Sequence, residues 1–123
     1  AMIKEAHKQQ SNILDCTFVT DAASLSVADY TVASGIFNVK QQISNEKWCD
    51  YVVDTIRTMA EHSHKGFSFN VLTSYSDKDK MRPDLFYGDP CFFIDHCIRN
   101  YSRHVTMLHG YGLYEFTILV RMT

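Results

Sequence analysis

The stretch from Asn45 to Tyr75 constrains the fold most, because the spacing of its apolar residues changes once along its length. Between Asn45 and Met59 the large apolar residues recur at helical spacing, which predicts an amphipathic helix capped by Ser44. Gly66 is interpreted as the stop of that helix. From Phe67 to Tyr75 apolar and polar residues alternate, as in a strand with one buried face. The helix and the strand are therefore expected to share one apolar layer.

The pattern predicts one more helix before this stretch and three more strands after it. Apolar residues at helical spacing predict a helix over Ala22–Ile43, joined to the second helix as a hairpin. Strands are predicted at Asp84–Asp95, interrupted by Gly88-Asp89-Pro90, then at His104–His109 and Tyr114–Met122. This order predicts an α+β fold, with two N-terminal helices packed on a four-stranded antiparallel sheet.

Length and composition narrow the classes of protein to which the chain can belong. Its 123 residues suit one domain, which we place at residues 22–123, preceded by an extension at residues 1–21. A net charge of −2 argues against nucleic-acid and anionic-membrane partners, both of which need a basic surface. No apolar run is long enough to span a bilayer, and no signal peptide is visible. The four cysteines lack a disulfide framework, which predicts reduced thiols in the cytoplasm.

Two kinds of catalytic or metal chemistry have some support in the sequence. The first is a zinc site, but the usual paired ligand spacing is absent. Its candidate ligands are Cys91, His96, Cys97, His104 and His109. The second is a nucleophilic thiol at Cys49, near a helix N-terminus, with His62 or His64 as its base. We predict no enzyme, metal or cofactor, and keep a small Cys-dependent enzyme or zinc-binding α+β protein as the alternative.

A binding module remains as the favoured class. A largely apolar antiparallel sheet with an irregular edge strand can accept an extended peptide as one more strand. The long charged loop before Asp84–Asp95 and the Gly-Asp-Pro interruption within it also suit a strand exchanged between two subunits. These features predict a dimer that recognises a peptide.

Several short motifs resemble the Tctex-type light chains of cytoplasmic and axonemal dynein. They are Asn45-Glu46-Lys47-Trp48, the segment 52–56, the segment 65–71, Cys91-Phe92-Phe93-Ile94-Asp95 and the closing hairpin 105–120. The resemblance covers roughly residues 22–122 and implies a non-catalytic, strand-exchanged homodimer, or a heterodimer with a related light chain. It further implies strand addition of dynein intermediate chain or cargo peptides, and a cytoplasmic, cytoskeleton-associated location that includes cilia or flagella.

The resemblance also implies where the peptide would bind. The exchanged strand would be Leu85–Asp95, and its side chains would line the groove at the dimer interface. The implied peptide-binding and dimer-groove residues are Leu85, Tyr87, Cys91, Phe92, Phe93 and Ile94.

Overall fold

The structure, a computed structural model, describes residues 26–122. The predicted extension at residues 1–21 and the first four residues of the predicted helix 22–43 lie outside this range. The described elements, in chain order, are strand β1 (Ala28–Ala33), helix α1 (Asn45–Glu61), β2 (Ser63–Thr73), β3 (Tyr87–Gly88), α2 (Pro90–Asn100), β4 (Val105–Leu108) and β5 (Glu115–Arg121). Within this range, neither helix is long and apolar enough to cross a membrane.

The five strands form one mixed sheet with the order β1-β2-β5-β4, and the short β3 pairs with the end of β2. β1 and β3 run parallel to β2, whereas β5 runs antiparallel to β2 and to β4. β4 therefore runs parallel to β2 as well. The carboxyl ends of β1, β2 and β4 consequently meet at one edge of the sheet.

The predicted first helix is wrong over the part of it that the structure describes. Residues 28–33 form β1, and the chain then turns irregularly until Ser44. The β-branched and aromatic residues of β1 suit a strand. Backbone hydrogen bonds to β2 then favour the strand over the helix that the spacing of apolar residues predicted. Gly35 lies in this turn with a φ of +75°, a value that glycine adopts without steric cost.

The predicted helix–strand core is confirmed, but the stop between them is not Gly66. The Ser44 Oγ accepts a hydrogen bond from the backbone N–H of Lys47, which caps α1 as expected. The helix ends at Glu61, and β2 begins two residues later at Ser63. Gly66 lies inside β2, where a Cβ would collide with the backbone carbonyl of Val120. It is therefore needed for close strand approach and not for helix termination.

The predicted second strand is also wrong. Only Tyr87–Gly88 is extended, and Pro90–Asn100 forms α2. The Asp89 side chain accepts a hydrogen bond from the backbone N–H of Cys91 at 3.0 Å, and Pro90 occupies the first turn, where it sacrifices no helical hydrogen bond. Pro90, Phe93 and Cys97 are buried at helical spacing. The later strands are confirmed at 105–108 and 115–121.

Both helices pack on the same face of the sheet, which we call the covered face. Val52, Ile56 and Met59 of α1 and Phe93 and Cys97 of α2 join one buried cluster with the sheet. The sheet contributes Phe67, Phe69, Val71, Phe116, Ile118 and Val120. The opposite, open face carries Tyr30, Val32, Ser68, Thr106 and Leu119, and no described helix lies against it.

These observations correct the predicted architecture. Over the described residues 26–122 the sheet is mixed and has five strands, one helix lies between β1 and β2, and the other follows β3. The chain therefore does not place two N-terminal helices on four antiparallel strands. The segment predicted to be exchanged between subunits is mostly α2, whose buried residues pack in the core of this same chain.

Candidate active site at the carboxyl edge of the sheet

The carboxyl edge, where β1, β2 and β4 end, collects polar side chains from three connecting segments. In open sheets built from parallel strands, ligands bind in the crevice at this edge because the loops that follow the strands converge there. Residues 34–44 follow β1, residues 74–86 follow β2, and residues 109–114 join β4 to β5. We take these three segments as the frame of the candidate site.

Asn70 of β2 fixes the turn that follows β1. Its Oδ1 accepts a hydrogen bond from the backbone N–H of Gly35 at 2.7 Å, and its Nδ2 donates to the Ser34 Oγ at 3.2 Å. Ser34, Gly35 and Ile36 remain exposed beside this contact. One amide side chain thus holds the β1 turn in place and leaves its rim open to a ligand.

A threonine–histidine pair connects the ends of β2 and β4. Thr73 Oγ1 and His109 Nε2 lie 2.8 Å apart, and the His109 ring meets the Tyr75 ring edge-on with centroids 5.8 Å apart. Thr73 is buried, His109 is half-buried, and Tyr75 is 69% exposed. His109 and Tyr75 therefore present an imidazole and a phenol at the accessible side of this edge, and the buried Thr73 hydroxyl contacts the imidazole.

The segments after β1 and β2 are joined to each other. The backbone N–H of Phe86 donates to the Asn38 carbonyl at 2.8 Å, and the Lys40 ammonium donates to the Pro83 carbonyl at 2.9 Å. Between the two segments lies a cleft of about 450 Å³. It is lined by Lys40, Asn45, Ser74, Met81, Arg82, Pro83, Leu85 and Tyr87. This volume falls within the range of small-molecule sites.

The start of β5 completes the rim. The Tyr114 hydroxyl donates to Asp77 Oδ2 at 2.7 Å, and this hydrogen bond, together with the negative charge of Asp77, raises the pKa of the Tyr114 phenol. The backbone N–H of Thr73 donates to the Tyr114 carbonyl at 3.0 Å. Tyr114 is therefore a protonated hydroxyl donor on the rim at neutral pH.

The six residues predicted to line a peptide groove do not form one surface. Leu85 makes an isolated antiparallel bridge with Val39, and Tyr87 belongs to β3 and accepts from the Arg82 backbone N–H. The other four lie on the first turns of α2 and point in different directions. Cys91 and Phe92 are exposed, Ile94 is half-buried and Phe93 is in the core. A peptide-binding role for the six residues remains an untested prediction. Four of them lie on a helix, so this segment does not offer the extended strand on which the prediction was based.

The thiol and zinc alternatives find no matching geometry. Burial, assisted by the nearby Asp50 charge, raises the pKa of the Cys49 thiol, which disfavours the thiolate that a nucleophile requires. Burial raises the pKa of Cys97 to about 12. Across residues 26–122, no group of three or more His, Cys, Asp or Glu side chains is placed to hold a metal ion.

Sequence reasoning missed most residues of the carboxyl edge: Leu85 and Tyr87, which line the cleft, were predicted only as peptide-groove residues, and His109 was considered only as a zinc ligand. Ser34 and Gly35 were assigned to a helix, and Asn70, Thr73 and Tyr75 were assigned only to the faces of a strand. A signal was present, because a short β-branched run ending in Ser34-Gly35 and a second strand ending in Thr73-Ser74 are typical of strand ends that bear a site.

A comparison with curated proteins finds a clear relative. The chain is 48% identical over 120 residues to the Mycobacterium tuberculosis (strain ATCC 25618 / H37Rv) protein named "Putative methyltransferase Rv1506c". The match covers 98% of this chain and 72% of that protein. No protein-family model matches the chain.

Solved structures of a methyltransferase share the fold. The chain superposes on magnesium protoporphyrin IX methyltransferase (ChlM) from Synechocystis PCC 6803 with bound SAH, with a TM-score of 0.65 and 12% identity, over 99% of this chain and 60% of ChlM. The structure of ChlM with bound SAM gives a TM-score of 0.60, again at 12% identity, over 99% and 55% of the two chains. The chain thus spans about three fifths of these structures.

These comparisons overturn the resemblance to Tctex-type dynein light chains. The relative is named a putative methyltransferase and the superposed structures are those of a methyltransferase, so the prediction of a non-catalytic dynein adaptor is wrong. The predicted partners, dynein intermediate chain and cargo peptides, are wrong with it, as is the prediction that the chain is not an enzyme. The matched motifs were short, and they mix core residues such as Phe67, Phe69 and Phe93 with exposed ones such as Asn45, Glu46 and Lys47, so they do not specify a fold.

Proposed function

The chain belongs to the family of the putative methyltransferase Rv1506c, and from that premise we propose that it takes part in methyl transfer from S-adenosylmethionine (SAM). The observation that carries this proposal is the 48% identity over 98% of the chain. The superposition on ChlM structures with bound SAH or SAM supports it at the level of the fold.

The reaction makes simple demands on the protein. The bond between the sulfonium sulfur and the methyl carbon breaks, a bond from the acceptor atom to that carbon forms, and S-adenosylhomocysteine (SAH) leaves. A hydroxyl or amine acceptor also loses one proton, which a base or solvent takes. The protein contributes mainly by holding donor and acceptor in line and by receiving that proton.

We assign the cofactor end of the site to the turn after β1. In α/β sheets ligands bind in the crevice at the carboxyl ends of parallel strands. Among residues 26–122, β1 is the outermost strand on one side of the sheet, and its carboxyl end lies at this edge. The exposed backbone of Ser34–Ile36, held by Asn70, suits contact with the cofactor.

We assign the acceptor end to the neighbouring strand ends. His109 is half-buried, its Nε2 lies 2.8 Å from Thr73 Oγ1, and Tyr75 extends beside it into solvent. An imidazole in such a position can accept the proton that the acceptor releases, while Thr73 fixes the orientation of the ring. Tyr75 offers an aromatic surface against which an acceptor can pack.

The proposal is tested by titrating the ¹⁵N-labelled 14.2 kDa chain with SAH and recording amide chemical-shift changes, which detect even millimolar binding. We expect the largest changes at Ser34, Gly35 and Asn38, and none at Arg99 on the outer surface of α2. The Asn70→Ala variant removes both hydrogen bonds that Asn70 makes to the β1 turn, and this loss of positioning is expected to weaken SAH binding about 10-fold.

Arg99→Ala serves as the matched control, because Arg99 is exposed and its carboxylate partner, Asp95, lies on the same helix. Adenosine monophosphate serves as the ligand control. Shift changes confined to α2, or the absence of any change up to several millimolar SAH, would contradict the proposal.

A further inference from the structure

We propose that the cleft between the segments after β1 and β2 binds an oxyanion, a carboxylate or phosphate group, that is carried by the methyl acceptor. The inference deepens the proposed function and rests on it, because the oxyanion would belong to the molecule that receives the methyl group. The acceptor would then be a small organic acid or phosphate ester with an apolar part beside its charged group.

Lys40 places a positive charge at this cleft. Its side chain is half-buried, and its ammonium donates to the Pro83 carbonyl at 2.9 Å and to the Ile43 carbonyl at 3.3 Å. Among residues 26–122, these contacts hold the ammonium in one position and leave a further N–H group for a ligand. Carbonyl oxygens do not neutralise the charge, so an anion in the cleft would gain a fixed and partly desolvated partner.

The segment after β2 adds an arginine and two hydroxyl groups. The Arg82 guanidinium contacts Asp84 through Nη2 alone, at 3.0 Å, so its other N–H groups can be donated to a ligand. The Tyr87 hydroxyl oxygen accepts from the Arg82 backbone N–H at 2.9 Å, which directs its own hydrogen elsewhere. Ser74 places a second hydroxyl group on the cleft. Arginine, lysine and hydroxyl donors together suit a carboxylate or a phosphate.

The remaining lining residues suit an anion that has an apolar part. The lining of the cleft includes both cations and no carboxylate. Asn45 also lines it and is the first residue of α1, so the positive end of the helix dipole lies at its wall. Met81, Pro83 and Leu85 make another part of the wall apolar. An uncharged ligand would displace water from the two cations without replacing it, whereas an oxyanion would replace it.

The cleft adjoins the acceptor end of the candidate site. Ser74 lines the cleft, and it follows Thr73, whose Oγ1 lies 2.8 Å from His109 Nε2. The backbone N–H of Ser74 donates to the Gly88 carbonyl at 2.8 Å, which fixes this residue at the end of β2. The cleft and the acceptor end therefore share the end of β2. We expect the cleft to orient the acceptor through its oxyanion while His109 accepts the proton.

Chemical-shift titration of the ¹⁵N-labelled chain with three ligands of similar size tests the inference. Benzoate carries a carboxylate, phenyl phosphate carries a phosphate, and benzamide is the uncharged control. We expect at least one of the two anions to shift the amides of Lys40, Asn45 and Arg82 at millimolar concentration or below, and benzamide to leave these amides unchanged. The anion that binds more tightly identifies the oxyanion.

Substitutions then attribute the binding to the charge of Lys40. Lys40→Met removes the charge and should weaken anion binding about 10-fold, whereas Lys40→Arg retains it and should bind more tightly than Lys40→Met. Arg103→Met removes one charge at an exposed position outside the cleft and should change binding by less than about 2-fold. Should Lys40→Met not fold, Arg82→Met, at an exposed position, replaces it with the same expected weakening.

Equal binding of benzamide and benzoate, or anion titrations that leave the cleft amides unshifted, overturns the inference. Displacement of the bound anion by SAH, with shift changes at Lys40 and Arg82, also overturns it, because the cleft would then hold the carboxylate of the cofactor. Anion binding in the cleft of a chain that does not bind SAH contradicts only the proposed function. SAH binding at residues 34–36 without anion binding contradicts only this inference.

Discussion

At the scale of the residue, burial and not sequence neighbourhood decides which side chains can react. Cys49 and Cys97 were candidates for chemistry because of their positions near histidines and a helix end. In the structure their thiols lie in apolar surroundings, which disfavour the thiolate and raise both pKa values. His109, by contrast, lies on the rim and keeps a hydroxyl partner in Thr73. The candidate reactive residues are therefore those of the carboxyl edge and not the thiols.

Alkylation should separate the buried and exposed thiols of α2. The pKa of Cys97 is about 12 in the folded chain, so at pH 8.5 its thiol stays protonated, and the core also blocks access. We expect iodoacetamide to modify exposed Cys91 at least 100-fold faster than Cys97, as followed by peptide mass spectrometry. In urea the two rates should converge, and equal rates in the folded chain would contradict the burial of Cys97.

The same pKa shift has a consequence for stability. Because the folded chain holds the Cys97 proton more tightly than the unfolded chain, the contribution is complete below the unfolded pKa near 9. It is then lost as the pH rises toward 12.

At the scale of the element, helix-capping residues outweighed the pattern that predicted a strand. Gly88-Asp89-Pro90 was interpreted as a break in a strand, yet Asp89 caps α2 and Pro90 starts it. Gly88 is also required on packing grounds, because a Cβ there would lie 2.7 Å from the Phe93 ring and 2.9 Å from a Val71 methyl group. The tripeptide is therefore a strand-to-helix junction under the buried Phe93.

Removing the cap should weaken α2 measurably. Asp89→Ala deletes the acceptor for the Cys91 backbone N–H and is expected to lower the free energy of unfolding by about 1 kcal/mol. Urea denaturation followed by circular dichroism measures the change. Asp50→Ala, at an exposed position within α1, is the control and should change stability by less than about 0.5 kcal/mol. Equal effects of the two substitutions would argue against the cap.

At the scale of the whole molecule, the described chain is a sheet with one covered face. Aromatic contacts connect the helices to it, including Phe93 with Phe69 and Phe116 at centroid distances of 6.2 and 6.1 Å. The other face carries exposed apolar side chains, so the two faces of one strand should differ sharply in their sensitivity to substitution.

Two neighbouring residues of β5 test this asymmetry. Ile118 is fully buried on the covered face, and Ile118→Ala is expected to cost about 2–5 kcal/mol in the free energy of unfolding. Leu119 points to the open face, and Leu119→Ala in the isolated chain should cost less than about 1 kcal/mol. Chemical denaturation of both variants measures the difference. Comparable losses would mean that the open face is packed in the isolated chain.

The amino-acid sequence by itself determined α1, its Ser44 cap, β2 and the hairpin of β4 and β5. Each shows a regular spacing of apolar residues or a capping residue, and both of these features can be recognised from neighbouring residues in the sequence. The cytoplasmic location and the division at residue 21 stay predictions.

Only the tertiary structure decided that β1 is a strand, that its pairing is parallel and that α2 replaces a predicted strand. These outcomes depend on residues far apart in sequence, such as Val32 opposite Ser68 and Phe93 against Phe69. The candidate site followed the same rule. Ser34 meets Asn70, and Thr73 meets His109, because parallel strands end at one edge, and a parallel arrangement requires long-range pairing that no local pattern specifies.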